Sequence, residues 1–172
     1  MIKLPKLLPI FAMIVLFPIS AEAKETYIPI LVPITGFLSL EGTAQRNGAI
    51  QALDEASSSL KIKYEVSDTS TSPEIAVTAL QRALSRGKPM AIAAPIFGTQ
   101  MLAMLPIAKR AGVPLITVSG TAKLTELDNP FIFRFFPGDA VVKVAHARYV
   151  TEVLRAKRPA PVSYTHLRAH ET

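Results

Sequence analysis

Short apolar runs recur along the chain about every 25 to 30 residues. The runs at 90–95 (MAIAAP) and 113–118 (VPLITV) are continuously apolar, which is typical of strands covered on both faces. The run at 60–66 (LKIKYEV) alternates between apolar and polar positions, which is typical of a strand with one wetter face. Together with the β-branched run at 27–33 (YIPILVP), these runs predict four strands.

Helical periodicity fills the segments between and after these strands. Ser72 is suited to cap the second helix, Pro73 to occupy its first position and Gly87 to end it. Thr99 is suited to cap the third helix and Gly112 to end it. A fourth helix is predicted to begin near residue 139. Each of three helices carries an apolar stripe that is predicted to be buried. In the first helix the stripe is Ala49, Ile50, Leu53, Ala56 and Leu60, and in the second it is Ile75, Ala76, Ala79, Leu80, Ala83 and Leu84. In the fourth helix it is Val142, Ala145, His146, Tyr149 and Val153.

The regular alternation of strands and helices predicts the fold class. It predicts an α/β fold in which a Rossmann-like parallel sheet, connected by right-handed crossovers, carries helices on both faces. In such sheets ligands lie in the crevice at the carboxyl ends of the strands. The strand ends here are residues 34–36, 67–70, 96–99 and 119–121, and they are small, hydroxylated and nearly uncharged.

These strand ends favour binding over catalysis. Backbone amides and hydroxyls at helix N-termini can hold a small anion such as a carboxylate. Asp68 is the only acid among the strand ends, which contain no His, Lys, Tyr or Cys, so no general acid and base pair can be assembled from them. The alternative is that Gly, Ser and Thr only form turns there. We expect a binding protein and not an enzyme.

The common cofactor and metal motifs do not occur in the sequence. Residues 36–42 (GFLSLEG) do not match G-x-G-x-x-G, no phosphate loop follows them, and G-x-S-x-G is absent. The 172 residues include no cysteine, which excludes disulfides, cysteine-ligated zinc and thiol nucleophiles. His166 and His170 have helical spacing but lack the glutamate of H-E-x-x-H. We therefore predict no cofactor and no metal.

The net charge of +6 comes mainly from the two ends of the chain. Residues 24–141 contain 11 basic and 10 acidic residues, whereas residues 142–172 contain 6 basic and 2 acidic ones. No aromatic residues interleave with the basic ones, so neither a base-stacking platform nor a stripe that could follow phosphates is visible. We expect no nucleic acid among the partners.

The first 23 residues have the features of a secretory signal. Lys3 and Lys6 precede an apolar run at 7–19, and residues 21–23 (AEA) form a small-x-small cleavage site. The alternative of a transmembrane anchor is disfavoured, because the run is only about a dozen residues long and a spanning helix needs roughly twenty. The sequence therefore predicts a cleavable signal peptide and export from the cytoplasm.

Three blocks of sequence resemble one known family. They are residues 28–42 (IPILVPITGFLSLEG), 47–56 (NGAIQALDEA) and 95–140, which begin PIFGTQMLAMLPIAKRAGVPLITVSG. Their order and spacing resemble type 1 periplasmic binding proteins, specifically the branched-chain amino-acid (Leu/Ile/Val) receptors of ABC transporters. The resemblance covers residues 27–162 and less than half of a whole receptor, so we expect an amino-terminal fragment.

The resemblance implies a division of the chain into four parts. Residues 1–23 are the signal peptide, and 24–121 are the first, incomplete lobe of a two-lobed binding protein. Residues 122–162 are the hinge crossing and the start of the second lobe. Residues 163–172 (SYTHLRAHET) resemble a translated sequencing adapter and are expected to be a non-native tail.

The resemblance also implies which residues hold the ligand. The Ser119 carbonyl and the Thr121 hydroxyl would accept hydrogen bonds from an ammonium group, and the Thr121 amide would donate to a carboxylate. Where relatives often have a serine pair, this chain has Phe97 and Gly98, so that Thr99 and backbone amides would replace the hydroxyl donors. The predicted ligand-binding residues are Glu41, Phe97, Gly98, Thr99, Ser119, Gly120 and Thr121.

The function implied is that of a periplasmic solute receptor. Such a protein binds an amino acid or a similar small carboxylate between two lobes and delivers it to an inner-membrane ABC permease. One alternative is a regulatory or sensor protein of the same fold that binds a protein partner in the periplasm. Another is a nucleotide or sugar-phosphate enzyme, which the absent glycine motif and the secretory signal disfavour.

Overall fold

The structure is a computed structural model that describes residues 25–160. The predicted signal peptide and the predicted tail lie outside the described residues. The strands are β1 (Thr26–Val32), β2 (Ile62–Asp68), β3 (Ile92–Ala93), β4 (Leu115–Thr117) and β5 (Ile132–Arg134). The helices are α1 (Ser39–Ala56), α2 (Pro73–Ser85), α3 (Gly98–Ala111), α4 (Lys123–Glu126) and α5 (Asp139–Arg148), with a π-helical turn at Tyr149–Val153 after α5.

The five strands form one parallel sheet in the order β2-β1-β3-β4-β5. The α/β fold predicted from the alternation is therefore confirmed, and the four predicted strands are β1 to β4. The fifth strand, Ile132–Arg134, was not predicted from the sequence, and Phe133 at its centre is 47% exposed. It joins the sheet by pairing with β4, Leu115 opposite Ile132 and Thr117 opposite Arg134.

The larger core lies on the face of the sheet covered by α2, α3 and α4. Alternate residues of the strands point to that face, because side chains of a strand alternate between its two sides. The core residues with the largest side chains are Leu31, Leu80, Ile92, Met101, Met104, Leu115 and Leu124. Leu124 belongs to α4, so residues beyond 121 also contribute to this core. The division of the lobes after residue 121 stays a prediction.

The opposite face of the sheet carries α1 and is only partly covered. Ile116 and Phe133 are neighbours across β4 and β5, and they are 40% and 47% exposed. Leu60, predicted to be buried, is exposed, because α1 ends at Ala56 before the last member of the predicted stripe. The rest of that stripe is half-buried. Within residues 25–160, no helix is both long enough and apolar enough to cross a membrane.

Three of the predicted helix signals are confirmed and one is wrong. Ser72 caps α2, its Oγ accepting from the Ile75 amide at 3.3 Å, and Pro73 is the first helical residue. Gly112 ends α3 in the left-handed conformation, with φ of 62°. Thr99 does not cap α3, because the helix begins one residue earlier, at Gly98, and Thr99 lies inside its first turn.

Helix α5 begins at Asp139 as predicted, but its predicted apolar stripe is not buried. No residue of α5 or of the π-helical turn is buried, and His146, predicted to lie in or beside the core, is exposed. The physical reason is that no other element of residues 25–160 covers this stripe. Ile75 of α2 was also predicted to be buried and is 43% exposed.

Candidate functional site

A cavity of about 320 Å³ lies at the carboxyl edge of the sheet, beyond the ends of β3 and β4. The loops that follow these two strands form its walls, together with Leu38, the residue before α1, and Asp139, the first residue of α5. Its lining contains six of the seven residues predicted to bind the ligand, namely Phe97, Gly98, Thr99, Ser119, Gly120 and Thr121. The remaining lining residues are Leu38, Ile96, Leu102 and Asp139.

Glu41 is the predicted residue that the structure does not bring into this cavity. It lies in the first turn of α1 and lines a separate, mostly apolar cavity of about 750 Å³ between α1 and the open face of the sheet. Ile116 and Phe135 line the same second cavity. A role for Glu41 at the ligand therefore stays a prediction, and the first cavity does not support it.

Close packing between two loops defines the floor of the first cavity. Gly98 lies directly against Thr121, so a Cβ at position 98 would overlap the Thr121 hydroxyl and would lie 2.8 Å from its Cβ. Thr117 Oγ1 donates to the Pro95 carbonyl at 2.7 Å and accepts from the amide of the buried Ser119 at 3.0 Å. These contacts hold the loop after β3 and the loop after β4 in one arrangement.

Unused backbone amides lie at the start of α3, where Gly98 and Thr99 line this cavity. The first amides of a helix have no partner within the helix. Among residues 25–160, the amides of Gly98, Thr99 and Gln100 donate to no other group. Because the helix dipole also makes this end positive, the start of α3 is suited to hold an anion. The Thr121 amide, across the cavity, likewise donates to no group of the described residues.

Two aromatic rings meet beside the cavity, and one of them, that of Phe97, lines it. Phe37, before α1, meets Phe97 edge to face, with ring centroids 5.3 Å apart and an interplanar angle of 89°. Phe37 is 51% exposed, so one side of its ring remains in contact with solvent. The pair connects the loop after β1 to the loop after β3, and Leu38, the next residue, lines the cavity.

Asp68 ties together the loops after β1 and β2. Its Oδ1 accepts from the amides of Ile34, Thr35 and Ser70 at 2.8, 3.2 and 2.8 Å. Its Oδ2 accepts from the hydroxyls of Thr35 and Ser70 at 2.5 and 3.1 Å. Burial by itself raises the pKa of this carboxyl, but these hydrogen bonds outweigh burial and lower the pKa from 3.8 to about 2. The acid at the strand ends is therefore a structural anchor.

Asp68→Asn is expected to destabilise the fold by about 1 to 2 kcal/mol near neutral pH, allowing for the partial exposure of Asp68. The folded pKa lies below the unfolded value of 3.8. The carboxylate therefore contributes stability that is present above about pH 4 and is lost as the pH falls towards about 2. Urea unfolding followed by circular dichroism at several pH values measures the effect.

The matched control for this substitution is Asp54→Asn, because Asp54 is exposed and accepts a hydrogen bond from the Tyr64 hydroxyl at 2.8 Å. We expect it to change stability by less than about 0.5 kcal/mol. If the destabilisation by Asp68→Asn stays the same at all pH values between about 7 and about 2, the anchoring role of the ionised carboxylate is wrong.

Asp139 is the ionisable residue of the lining, and the sequence did not predict it at the site. It follows β5, and since that strand was not predicted, nothing placed the start of α5 beside the loop after β4. The one sequence signal for Asp139 was that it is an acidic residue at a predicted helix start, 18 positions after Thr121. Among residues 25–160, no group of three His, Cys, Asp or Glu side chains is placed to hold a metal ion.

The chain and its fold are similar to known proteins. A family model described as periplasmic binding protein matches residues 25–167. No curated protein sequence matches the chain significantly. The leucine binding protein LivK from Thermotoga maritima is a similar solved structure. The two chains are 27% identical, the match covers 77% of this chain and 39% of that one, and the TM-score is 0.71.

Two further solved structures were determined with a small molecule bound. The branched-chain amino acid transporter substrate binding protein LivJ from Streptococcus pneumoniae, in complex with isoleucine, is 26% identical; the match covers 78% of this chain and 40% of that one, with a TM-score of 0.70. A solute binding protein of an ABC transporter from Rhodopseudomonas palustris BisB5, in complex with 3,4-dihydroxy benzoic acid, is 25% identical. The match covers 64% of this chain and 31% of that one, and the TM-score is 0.59. The chain thus spans less than half the length of these relatives.

Proposed function

Because the chain belongs to the periplasmic binding protein family, we propose that it forms the first lobe of a solute receptor for an ABC importer. The receptor holds an amino acid or a similar small carboxylate between two lobes and delivers it to an inner-membrane permease. It works in the periplasm, to which the signal peptide of residues 1–23 directs it. Solved relatives with isoleucine and with 3,4-dihydroxy benzoic acid support this range of ligands.

The observation that carries the proposal is the set of unused amides at the start of α3, in a cavity large enough for one small molecule. Binding cavities for small ligands start at roughly 300 Å³, and this one has about 320 Å³ without a second lobe. The ligand carboxylate accepts from the Thr99 and Thr121 amides. The ligand ammonium donates to the Ser119 carbonyl and the Thr121 hydroxyl.

Transport follows from closure of the two lobes. A ligand stabilises the closed receptor only if it makes contacts in the closed state that the open state lacks. The first lobe grips the charged end of the ligand, the second lobe completes the contacts, and the permease recognises the closed form. The receptor performs no chemistry on the ligand, in keeping with a lining in which Asp139 is the one ionisable residue.

The test is titration calorimetry of the complete receptor with L-leucine, L-isoleucine, L-phenylalanine and 3,4-dihydroxybenzoate. We expect at least one of them to bind with a Kd in the micromolar range. In that complex, Thr121→Val is expected to weaken binding about tenfold, because it removes one hydrogen bond to a charged group.

The control is Thr78→Val. Thr78 lies in α2 outside the cavity, and its hydroxyl donates to the Glu74 carbonyl at 2.9 Å. This variant is expected to bind as tightly as the unaltered receptor. The absence of binding to all four compounds up to millimolar concentration would reject the proposed function.

A further inference from the structure

The wall of the ligand cavity includes a carboxylate held against a glycine. Asp139 is the first residue of α5, and its amide donates to the Gly120 carbonyl at 2.6 Å. Its side chain lies over Gly120, so a Cβ at position 120 would overlap the Asp139 Oδ1 and would lie 2.9 Å from its Cγ. The missing side chain at Gly120 thus leaves the room that the carboxylate occupies.

Asp139 faces the cavity with one of its two oxygens unpaired. Oδ2 lies 3.7 Å from the Nζ of Lys143, an ion pair exposed to solvent. No donor of residues 25–160 forms a hydrogen bond to Oδ1. The nearby guanidinium of Arg134 donates to the Thr121 carbonyl at 3.1 Å and to the Thr125 hydroxyl at 3.3 Å, and not to this carboxylate.

The charges around the cavity are therefore separated. The start of α3 offers amides to an anion on one side, while Asp139 is the one ionisable residue of the ten that line the cavity. A simple carboxylate would bring a second negative charge close to Asp139 with no cation in the lining to compensate it. A ligand that carries a cationic nitrogen next to its carboxylate would place the carboxylate at the amides of α3 and the cationic nitrogen at Asp139.

We propose that Asp139 binds the cationic nitrogen of the ligand and thereby makes the receptor select a zwitterionic amino acid over a carboxylate of the same shape. This inference rests on the proposed function, since it concerns the ligand of the same cavity. It adds to the Ser119 carbonyl and the Thr121 hydroxyl a charged acceptor from the start of α5. It also narrows the ligand, because aromatic or aliphatic acids without an amine are disfavoured.

The test compares ligand pairs that differ only in the amine. L-Leucine is paired with 4-methylpentanoate, and L-phenylalanine with 3-phenylpropanoate. Calorimetry is carried out on the complete receptor and on Asp139→Asn, which keeps the shape of the side chain and removes its charge. We expect the receptor to prefer the amino acid of a pair, and Asp139→Asn to weaken amino-acid binding about 10- to 100-fold, the effect of losing a hydrogen bond between charged groups. Binding of the deaminated acid is unchanged or tighter.

Two further variants separate ligand recognition from effects on the fold. Lys143→Met removes the exposed ion-pair partner of Asp139 and is expected to leave the preference for the amine unchanged. Gly120→Ala keeps the carboxylate but pushes it out of its place, and is expected to reduce the preference as Asp139→Asn does. Thermal melting without ligand establishes that each variant is folded.

The outcomes distinguish this inference from the proposed function. If Asp139→Asn keeps the full preference for the amino acid, or if the unaltered receptor binds the deaminated acid as tightly as its partner, the role of Asp139 is rejected and the receptor function stands. If the unaltered receptor binds none of the amino acids or acids, the proposed function fails and the inference fails with it.

Discussion

Gly42→Ala is expected to lower the free energy of unfolding by about 3 kcal/mol. Gly42 is the buried residue of α1 and lies against the end of β1. A Cβ at this position would overlap the carbonyl oxygen of Pro33, and it would lie 2.6 Å from the carbonyl carbon and 2.9 Å from the ring Cγ. These are mainly backbone atoms, which cannot rotate away as the end of a side chain can, so α1 must move off the sheet.

Gly48→Ala in the same helix is the matched control. A Cβ there would have no atom within 4 Å, and alanine is a better helix former than glycine. This variant is expected to raise the free energy of unfolding by about 0.5 to 1 kcal/mol. Urea unfolding followed by circular dichroism measures both substitutions. If both variants change the free energy of unfolding in the same direction and by the same amount, the close packing of Gly42 against Pro33 does not limit the size of this residue.

Gly98→Ala is expected to weaken ligand binding by about 100-fold, the effect of misplacing two hydrogen bonds to charged groups. The added Cβ would meet both the hydroxyl and the Cβ of Thr121. Rotation of the Thr121 side chain can move the hydroxyl, but the Cβ stays 2.8 Å away, so the two loops have to separate. The start of α3 and the Thr121 amide then no longer meet the same carboxylate.

Calorimetry of the complete receptor with the compound that binds most tightly measures this effect. Gly48→Ala again serves as the control, because Gly48 does not line the ligand cavity. The affinity of that control is expected to equal that of the unaltered receptor. Full affinity in Gly98→Ala would show that the contact between the two loops has no part in binding.

Local sequence signals predicted most of the α/β layer because the forces behind them are local. The continuously apolar runs became β3 and β4, Ser72 and Pro73 begin α2, and Gly112 ends α3. Thr99 was the wrong cap, because the packing of Gly98 against Thr121 belongs to the tertiary structure and not to the helix alone. β5 was not predicted, and the structure shows it as a strand that pairs with β4.

The resemblance supplied seven predicted ligand-binding residues, and six of them line one cavity. They come together because the ends of adjacent parallel strands meet at one edge of a sheet. Glu41 could not be placed, because the direction of its side chain depends on how α1 lies on the sheet, and it faces the second cavity. The burial of the α5 stripe was predicted from periodicity, which shows that a stripe exists but not what covers it.

The order of residues alone determined the parallel α/β layer, the family resemblance and the nearly uncharged strand ends, because periodicity, capping and short motifs are read within one stretch of chain. The tertiary structure decided that Asp139 joins the lining of the first cavity, that Asp68 anchors the loops and that Gly98 and Gly120 leave room for the groups opposite them. These contacts join segments distant in sequence, and their distances exist only once the sheet has brought its strand ends together.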